Sequence, residues 1–456
     1  MTGRLTFRWI VLVLFLAPAA LVAANGCARE PVANISSNQI PADVCIPTNF
    51  TDVATDYFDD YSWRAFVALV WPAARMPRGT ADVSRKLGDA GPRTFETYKA
   101  LWEVFHRDGS APGASFDSYD SADHNACGAN VGFGDAVIAS YSGLEEVAQF
   151  GPGEMLGPLA GRNGRYIRTQ TFYNRAAYDY IASRKLYLRS ALPAIPDPKP
   201  AEPVLRFPDG SVVLKASWLD MDGFTEAEKS RYYARPVIVR DASTGKCSAV
   251  TMGLAGLHIV QKTPSRPQWI WSTFEQVDLV PPARAGAPGR FALHDGASRA
   301  MPVENPLRLV PLAPEPVAPF NVTRAAVSPI HPKTAYTNLM YERLLKGTVW
   351  ENYQLVMTQW PRVTGEQSLP VPATLNGDAS NTFPGLGSAS GSAFANVTME
   401  TFDQERPQLG CMNCHNQARL AADFMWSVLD HAYPPTLAPK EGTLPAAHAA
   451  NLPAHQ

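Results

Sequence analysis

The sequence predicts an α+β fold with an antiparallel β-sheet core, helices before it and a helical segment near the C-terminus. In the first hundred residues large apolar side chains recur at helical spacing. The middle of the chain alternates instead and is rich in Val, Ile, Trp and Thr, as strands are. Proline makes up 40 of 456 residues, above the average of about 5%. Long helices are therefore not expected to dominate.

The first 24 residues have the pattern of a secretory signal peptide. Arg4 and Arg8 form a basic start, and an apolar stretch ending in small residues follows from Trp9 to Ala24. An uncleaved membrane anchor is the alternative, although spanning needs roughly 20 residues. A lipidated Cys27 is a third interpretation, and the residues before it suit a lipobox poorly. Cleavage is the favoured interpretation, and it predicts a periplasmic or otherwise exported protein that is soluble or tethered at its N-terminus.

The predicted helices lie mostly in the first 190 residues. Residues 55–75 and 93–106 carry apolar groups at helical spacing, and Pro72 ends the first run. Residues 174–188 form a third predicted helix. Five prolines between positions 193 and 203 indicate a linker near 190–205.

The predicted strands follow the linker. They cover residues 211–218, 236–240, 249–262 and 268–277. Asp241–Gly245 has the composition of a hairpin turn between the second and third of them, so antiparallel pairing is expected. A Pro- and Ala-rich stretch, 278–330, precedes a predicted helix over 332–346 and a strand over 350–359.

The C-terminal quarter changes composition again. A Gly/Ser-rich loop over 377–392 leads to a predicted helix from Met412 to Ala432, and the tail from Pro434 is expected to be disordered. The sequence thus predicts a signal peptide (1–24), an α+β scaffold (25–380) and an attachment segment for a cofactor (381–456). No internal repeat is visible, which argues against an array of identical units.

Charge and cysteine content narrow the class of protein. The chain has 40 basic and 42 acidic side chains, so nothing in its charge indicates a nucleic-acid partner. Six cysteines are present, and two of them belong to the motif described next. The other four allow two disulfides, or one disulfide and a lipidated Cys27, in an exported chain. They are Cys27, Cys45, Cys127 and Cys247.

Residues 411–415, Cys-Met-Asn-Cys-His, match the attachment signature of c-type haem. Two thiols on one helical turn can each add to a haem vinyl group, and the adjacent His415 then faces the iron. The motif therefore predicts one covalent haem c, bound by Cys411, Cys414 and His415. Zinc, a thioredoxin-like dithiol and a structural disulfide are the alternatives. A zinc site would need further ligands, and the sequence shows no other Cys or His pair at ligand spacing. A thioredoxin-like dithiol would need a preceding strand, whereas a loop is predicted there.

The second axial ligand of the iron is harder to predict. Met425 is the single methionine after the motif and is expected on the same helix as His415, from which the opposite side of the iron is out of reach. The ligand should then come from the scaffold. His258 is the candidate, since alternation would place it on an apolar face with Met252, Leu254 and Val260.

Two glycines strengthen that hypothesis, because Gly253 and Gly256 would let a flat cofactor approach the backbone. A core histidine that only bonds a neighbour is the competing interpretation of His258. The other candidates for the second ligand are Met357, Met399 and His331, and an iron with five ligands and one open position is a further alternative.

Several segments together resemble a poorly characterised family of exported bacterial cytochrome c-like proteins with a single C-terminal haem motif. The segments that carry the resemblance are Trp63–Pro72, Leu257–Thr263, Pro267–Glu275, Asn352–Trp360, Asn396–Phe402 and the motif itself. The resemblance implies haem binding, with Cys411, Cys414 and His415 as the attachment residues, and electron transfer. It supplies neither a substrate nor a ligand role for His258.

Two functions are consistent with these features. One is electron transfer between redox partner proteins in the periplasm or membrane. The other is a haem-dependent oxidoreductase of peroxidase or oxidase type, for which so large a scaffold could build a substrate pocket at an open iron. The sequence shows neither a paired acid/base motif nor a Gly-x-Ser-x-Gly nucleophile. A binding protein with a structural haem is a third class. The substrate stays unassigned.

Overall fold

A curled β-sheet with helices packed around it forms the fold, which is mixed α+β as the sequence predicts. The computed structural model describes residues 38–44, 55–138, 147–151, 154–199, 203–241, 244–281, 291–296, 312–325, 329–360, 395–404 and 411–435. The predicted signal peptide, Cys27, Cys45, the predicted loop over 377–392 and the tail beyond 435 lie outside these ranges.

Eight of the strands in the described ranges form one sheet, and two form a separate hairpin, β3 with β4. The strands are β1 (Lys99–Ala100), β2 (Val137–Ile138), β3 (Ala148–Gly151), β4 (Glu154–Pro158), β5 (Arg168–Tyr173), β6 (Val212–Asp220), β7 (Ala234–Arg240), β8 (Cys247–Thr263), β9 (Arg266–Gln276) and β10 (Tyr353–Gln359). The order in the sheet is β1-β5-β6-β8-β7-β2, with β9 beside β8 and β10 beside β9.

Antiparallel pairing dominates the sheet, as predicted, and only β2 and β7 of the described strands run parallel. The predicted hairpin turn is confirmed, since the N–H of Gly245 donates to the carbonyl of Asp241 at 2.8 Å between β7 and β8. Strand β8 is the longest strand of the described sheet and pairs with three others. Its 17 residues pair with β6 along one edge and with β7 and then β9 along the other.

The helices of the described ranges are short apart from α1 and α5. They are α1 (Thr55–Leu69), α2 (Leu101–Val104), α3 (Arg175–Ser183), α4 (Glu226–Lys229), α5 (Pro332–Leu344), α6 (Cys411–His415), α7 (Arg419–Ala422) and α8 (Trp426–His431).

The single helix predicted over 93–106 is wrong. A 3-10 turn at Thr94–Thr97, strand β1 and the one-turn helix α2 occupy that stretch. The chain becomes extended there because β1 pairs with β5. Lys99 of β1 is also buried against Glu103 of α2, at 3.3 Å between Nζ and Oε1. Tertiary pairing has overridden the helical spacing of the apolar side chains.

One face of the sheet is covered by α1 and α5. Trp63 of α1 is fully buried, stacks on Tyr341 of α5 with ring centroids 4.8 Å apart, and meets Phe274 of β9 edge-on at 5.0 Å. Phe274 pairs with Leu257 and Leu355 in the neighbouring strands, so these side chains share that face. The large aromatic groups of the core therefore lie on this side.

The segments 395–404 and 411–435 cover the opposite face. They are packed into the scaffold, because five buried side chains of the 411–435 segment belong to the same apolar cluster as the sheet and α1. These five are Met412, Ala422, Phe424, Met425 and Val428.

Candidate cofactor site

A row of four side chains crosses the sheet on the face that the C-terminal segments cover. Lys215 of β6 lies opposite His258 of β8, which lies opposite Thr273 of β9, which lies opposite Met357 of β10. Directly opposed residues in antiparallel strands point to the same side of the sheet. Two of the sequence candidates for the second iron ligand, His258 and Met357, are therefore on one face.

The prediction of which residues share a sheet face with His258 is partly wrong. Along β8 the pairing with β6 moves from Gly256 to Leu254 while β6 advances by one residue. This β-bulge leaves one extra residue in β8 and reverses the alternation of faces beyond it. His258 consequently shares its face with Val260 but not with Leu254 or Met252.

The space beside the two glycines is filled by protein, so the prediction that they admit a flat cofactor is wrong. A Cβ on Gly256 would lie 2.8 Å from the hydroxyl oxygens of both Ser217 and Thr398. A Cβ on Gly253 would lie 2.6 Å from the sulfur of Met221. Gly256 lets the 395–404 segment approach the sheet closely.

That segment is fastened to the sheet by polar contacts. The side-chain amide of Asn396 donates to Thr273 Oγ1 at 2.9 Å, and the N–H of Val397 donates to Glu275 Oε1 at 2.6 Å. The following turn carries Glu400 over β8, where its Oε2 lies 3.4 Å from Nε2 of His258. No local signal in the sequence marks Glu400, because only the packing of this segment brings it to the site.

Glu400, His258 and Lys215 form a partly buried charged cluster. Burial would raise the pKa of Glu400, but the charges of His258 and Lys215 outweigh it and the pKa is lowered. Burial lowers the pKa of Lys215, which Glu400 opposes. Nε2 of His258 is inaccessible to solvent and makes no hydrogen bond with the residues that the structure describes. The contact of this nitrogen with Glu400 is therefore mainly electrostatic.

The motif forms the one-turn helix α6. Its position on the sheet is set by Gln359 of β10, whose Oε1 accepts from the N–H of Met412 at 3.1 Å. Cys411 and Cys414 are not bridged and are partly buried. Burial raises the pKa of Cys414 to about 12 and also raises that of Cys411. Both sulfurs are therefore neutral thiols at physiological pH.

His415 is oriented as a metal-ligating histidine would be. Its Nδ1 donates to the carbonyl of Phe424 at 2.7 Å, and its ring lies against Trp271 with centroids 4.4 Å apart. Because a carbonyl can only accept, Nδ1 carries the proton and Nε2 carries the lone pair.

The charge state of His415 agrees with that orientation. Burial is the largest cause that lowers the pKa of His415 to about 4, with smaller contributions from His258 and Lys215 and against the opposing effects of the Phe424 bond and Glu400. The imidazole is neutral at pH 7, which is the form that binds a metal.

The single helix predicted from Met412 to Ala432 is wrong. After α6 the chain makes a 3-10 turn and helix α7, and then breaks at Asp423 and Phe424, whose φ values are 50° and 72°. Met425 therefore does not continue the helix of His415, since it follows the break and precedes α8. The break also brings the Phe424 carbonyl back to His415.

The remaining ligand candidates divide between the two faces. Met399 is buried within the 395–404 segment. His331 instead precedes α5, where its Nδ1 accepts from the N–H of Lys333 at 3.3 Å. That helix packs on the other face of the sheet, and Thr334 donates to Asp59 of α1 at 2.6 Å. The sheet separates His331 from the motif.

The structure resolves part of the cysteine pairing that the sequence leaves open. Cys127 and Cys247 form a disulfide across 120 residues, which ties the loop before β2 to the start of β8.

A second histidine pair lies in the loop over 106–124. The rings of His106 and His124 are stacked 3.6 Å apart and nearly parallel, at 7°. Both nitrogens of His106 are already engaged, Nδ1 with Ser110 Oγ at 2.8 Å and Nε2 with Asp120 Oδ2 at 2.5 Å. In this arrangement the pair belongs to a hydrogen-bonded cluster, and a nitrogen of each ring and a carboxylate oxygen of Asp108 lie within 4.8 Å of one another.

No family model matches the chain, and no curated protein or solved structure is significantly similar to it. None of the described helices has the length and apolar character needed to cross a membrane.

Proposed function

We propose that this chain is an exported c-type cytochrome that carries one covalent haem and transfers electrons. The observation that supports the proposal best is the environment of His415. Its Nδ1 is bound to the Phe424 carbonyl, its Nε2 carries the lone pair, and two unbridged thiols lie on the same helical turn. This is the donor set that covalent haem requires, with two thioether positions and a neutral axial imidazole.

The residues present fit the group chemically. Cys411 and Cys414 would hold the porphyrin through thioethers, and His415 would hold the iron. Bound haem supplies one-electron oxidation and reduction at its iron. The protein contributes a partly buried, low-dielectric environment in which Trp271 fixes one side of the imidazole. Lys215 and Glu400 place opposite charges nearby, and such charges set a reduction potential.

His258 is the proposed second axial ligand. It lies on the sheet face that carries the motif, and its Nε2 makes no hydrogen bond with the described residues. Ligation would require that Nε2 exchange its 3.4 Å contact with Glu400 for the iron.

The same contact favours a second candidate function, a haem-dependent oxidoreductase of peroxidase or oxidase type. A histidine and a carboxylate within reach of each other can relay a proton, so His258 and Glu400 could act as an acid/base pair beside an open iron. Low-spin six-coordinate iron would favour electron transfer with His258 as a ligand. High-spin iron would favour this alternative.

The exported location and its partners are part of the proposal. The signal-peptide pattern of residues 1–24 supports export. The Cys127–Cys247 disulfide supports it independently, because such bonds persist in oxidising compartments. Redox proteins of the periplasm or membrane are then the expected partners.

The test is haem attachment in a bacterial host that matures c-type cytochromes. The wild-type protein should keep its haem through acid-acetone extraction and denaturing electrophoresis, and its mass should equal the mature polypeptide plus one haem. Cys411→Ala/Cys414→Ala should lose it. Cys127→Ala/Cys247→Ala is the matched control and should retain it. Extraction of haem from the wild-type protein would overturn the proposal, and the same mass identifies the N-terminal residue.

A further inference from the structure

A buried ion pair stabilises the interruption of the helix after α7, at Asp423 and Phe424. The carboxylate of Asp423 is fully buried and pairs with Nζ of Lys262, near the end of β8. The N–H of Phe207 donates to the same carboxylate oxygen at 2.8 Å. Three separate parts of the chain, around residues 207, 262 and 423, therefore meet at one side chain.

The backbone of Asp423 is held as well. The indole N–H of Trp269, at the start of β9, donates to the carbonyl of Asp423 at 3.1 Å, and Nζ of Lys262 lies 5.4 Å from the centre of the Trp269 ring. Trp269, Asp423 and Phe424 all have left-handed backbone, with φ of 72°, 50° and 72°. Such conformations are unfavourable for residues with a side chain and persist only where the surroundings impose them.

The interruption of the helix at Asp423 and Phe424 sets the direction of the Phe424 carbonyl group. Phe424 follows Asp423 directly, and its carbonyl accepts the proton on Nδ1 of His415 at 2.7 Å. A regular helix through residues 423 and 424 would direct this carbonyl along the helix axis and away from His415. The conformation that Lys262 and Trp269 impose on Asp423 is thus the conformation that supplies His415 with its acceptor.

We propose that Lys262 and Asp423 are positioning residues for His415, because they hold the Phe424 carbonyl that orients its ring and increases its basicity. The inference rests on the proposed haem function and deepens it. An acceptor on Nδ1 makes an axial imidazole a stronger donor and stabilises oxidised iron. Loss of the pair should therefore raise the reduction potential.

The decisive variant is Lys262→Met/Asp423→Asn. Removing Lys262 alone would lower the potential by Coulomb interaction, and removing the charge of Asp423 alone would raise it, so the single variants mix charge with position. The double variant removes both charges, and Asn tolerates the left-handed backbone that residue 423 adopts. Arg168→Met/Glu315→Gln is the control, since Arg168 and Glu315 form an equally buried ion pair at 2.7 Å and the double change likewise removes both charges.

Two measurements on these proteins decide the proposal. In haem-loaded protein the double variant should have a higher midpoint potential than wild type, whereas the single variant Lys262→Arg, which keeps the ion pair with Asp423, should stay close to the wild-type potential. The control should be unchanged. In haem-free Cys411→Ala/Cys414→Ala protein, amide hydrogen exchange over residues 411–425 should become faster in the double variant and stay unchanged in the control.

The outcomes separate this proposal from the proposed function. A wild-type protein without covalent haem refutes the cytochrome function, and the exchange measurement then still decides whether the pair holds the His415 segment. Unchanged exchange overturns the positioning role. A loaded double variant with the wild-type potential also overturns it, even if its exchange is faster, because the pair would then act only on stability.

Discussion

Nε2 of His258 and Oε2 of Glu400 lie 3.4 Å apart on the sheet face that the Cys411–His415 segment covers. The contact joins β8 to the 395–404 segment, which the sequence places far along the chain. On the proposed function, His258 has two alternative roles. It either binds the iron or exchanges a proton with Glu400. The two can be separated by spectroscopy.

His258→Ala should convert a low-spin spectrum to high-spin, or open the iron to carbon monoxide, without releasing the thioether-linked haem. On the proposed function, this side chain would supply the second nitrogen ligand of the iron, whereas haem attachment would depend on Cys411 and Cys414. Absorption spectra with and without carbon monoxide measure this. His331→Ala is the control, since His331 caps a helix on the other face. An unchanged His258→Ala spectrum would make His258 a core histidine, and Met357 or Met399 the next position to test.

Gly256→Ala should destabilise the protein by about 1–3 kcal/mol, the usual cost of overpacking. The added methyl would lie 2.8 Å from both Ser217 Oγ and Thr398 Oγ1. Denaturant unfolding measures the free energy of unfolding. Gly88→Ala is the control, because its nearest contact is an ordinary 3.4 Å with Thr348. Equal stability of the two variants would contradict the close approach of the 395–404 segment.

Asp120→Asn should remove an acid-sensitive part of the stability. Burial would raise the pKa of Asp120, but its hydrogen bond and charge interaction with His106 outweigh this and lower it. A lowered folded-state pKa means that the stabilisation is present above the unfolded value of about 3.9. It is lost as the pH falls through the folded value.

The variant should therefore be less stable than wild type by about 1–3 kcal/mol at pH 7, and the difference should shrink as the pH approaches 3. Unfolding curves at several pH values measure it. Exposed Asp179→Asn should stay within about 0.5 kcal/mol of wild type throughout. A difference that does not depend on pH would refute the role of the carboxylate charge.

Cys127→Ala/Cys247→Ala should reduce the free energy of unfolding by about 2–5 kcal/mol, because the bridge closes a long loop in the unfolded chain. The pair is separated by 120 residues. Guanidinium unfolding with and without reductant measures this. The wild-type midpoint should fall further under reductant than the midpoint of the variant. A reductant-insensitive wild type would show that the bridge is absent or adds nothing.

The sequence alone determined the features that depend on neighbouring residues. The spacing of Cys411, Cys414 and His415 is contained in five consecutive positions, so the prediction of a haem motif needs no tertiary information. Strands β6 to β9 follow from alternation, and the turn at Asp241–Gly245 follows from composition, because both are local conformational preferences.

The tertiary structure alone decided which distant residues meet. Glu400 reaches His258, and Asp423 reaches Lys262 across 161 residues, because the C-terminal segments pack on one face of the sheet. The bulge in β8 decided which side chains share that face with His258. The left-handed backbone at Asp423 and Phe424 broke a helix that local propensity favours. Register, strand pairing and burial set these contacts, and their free energies outweigh the small local preferences that a sequence pattern can show.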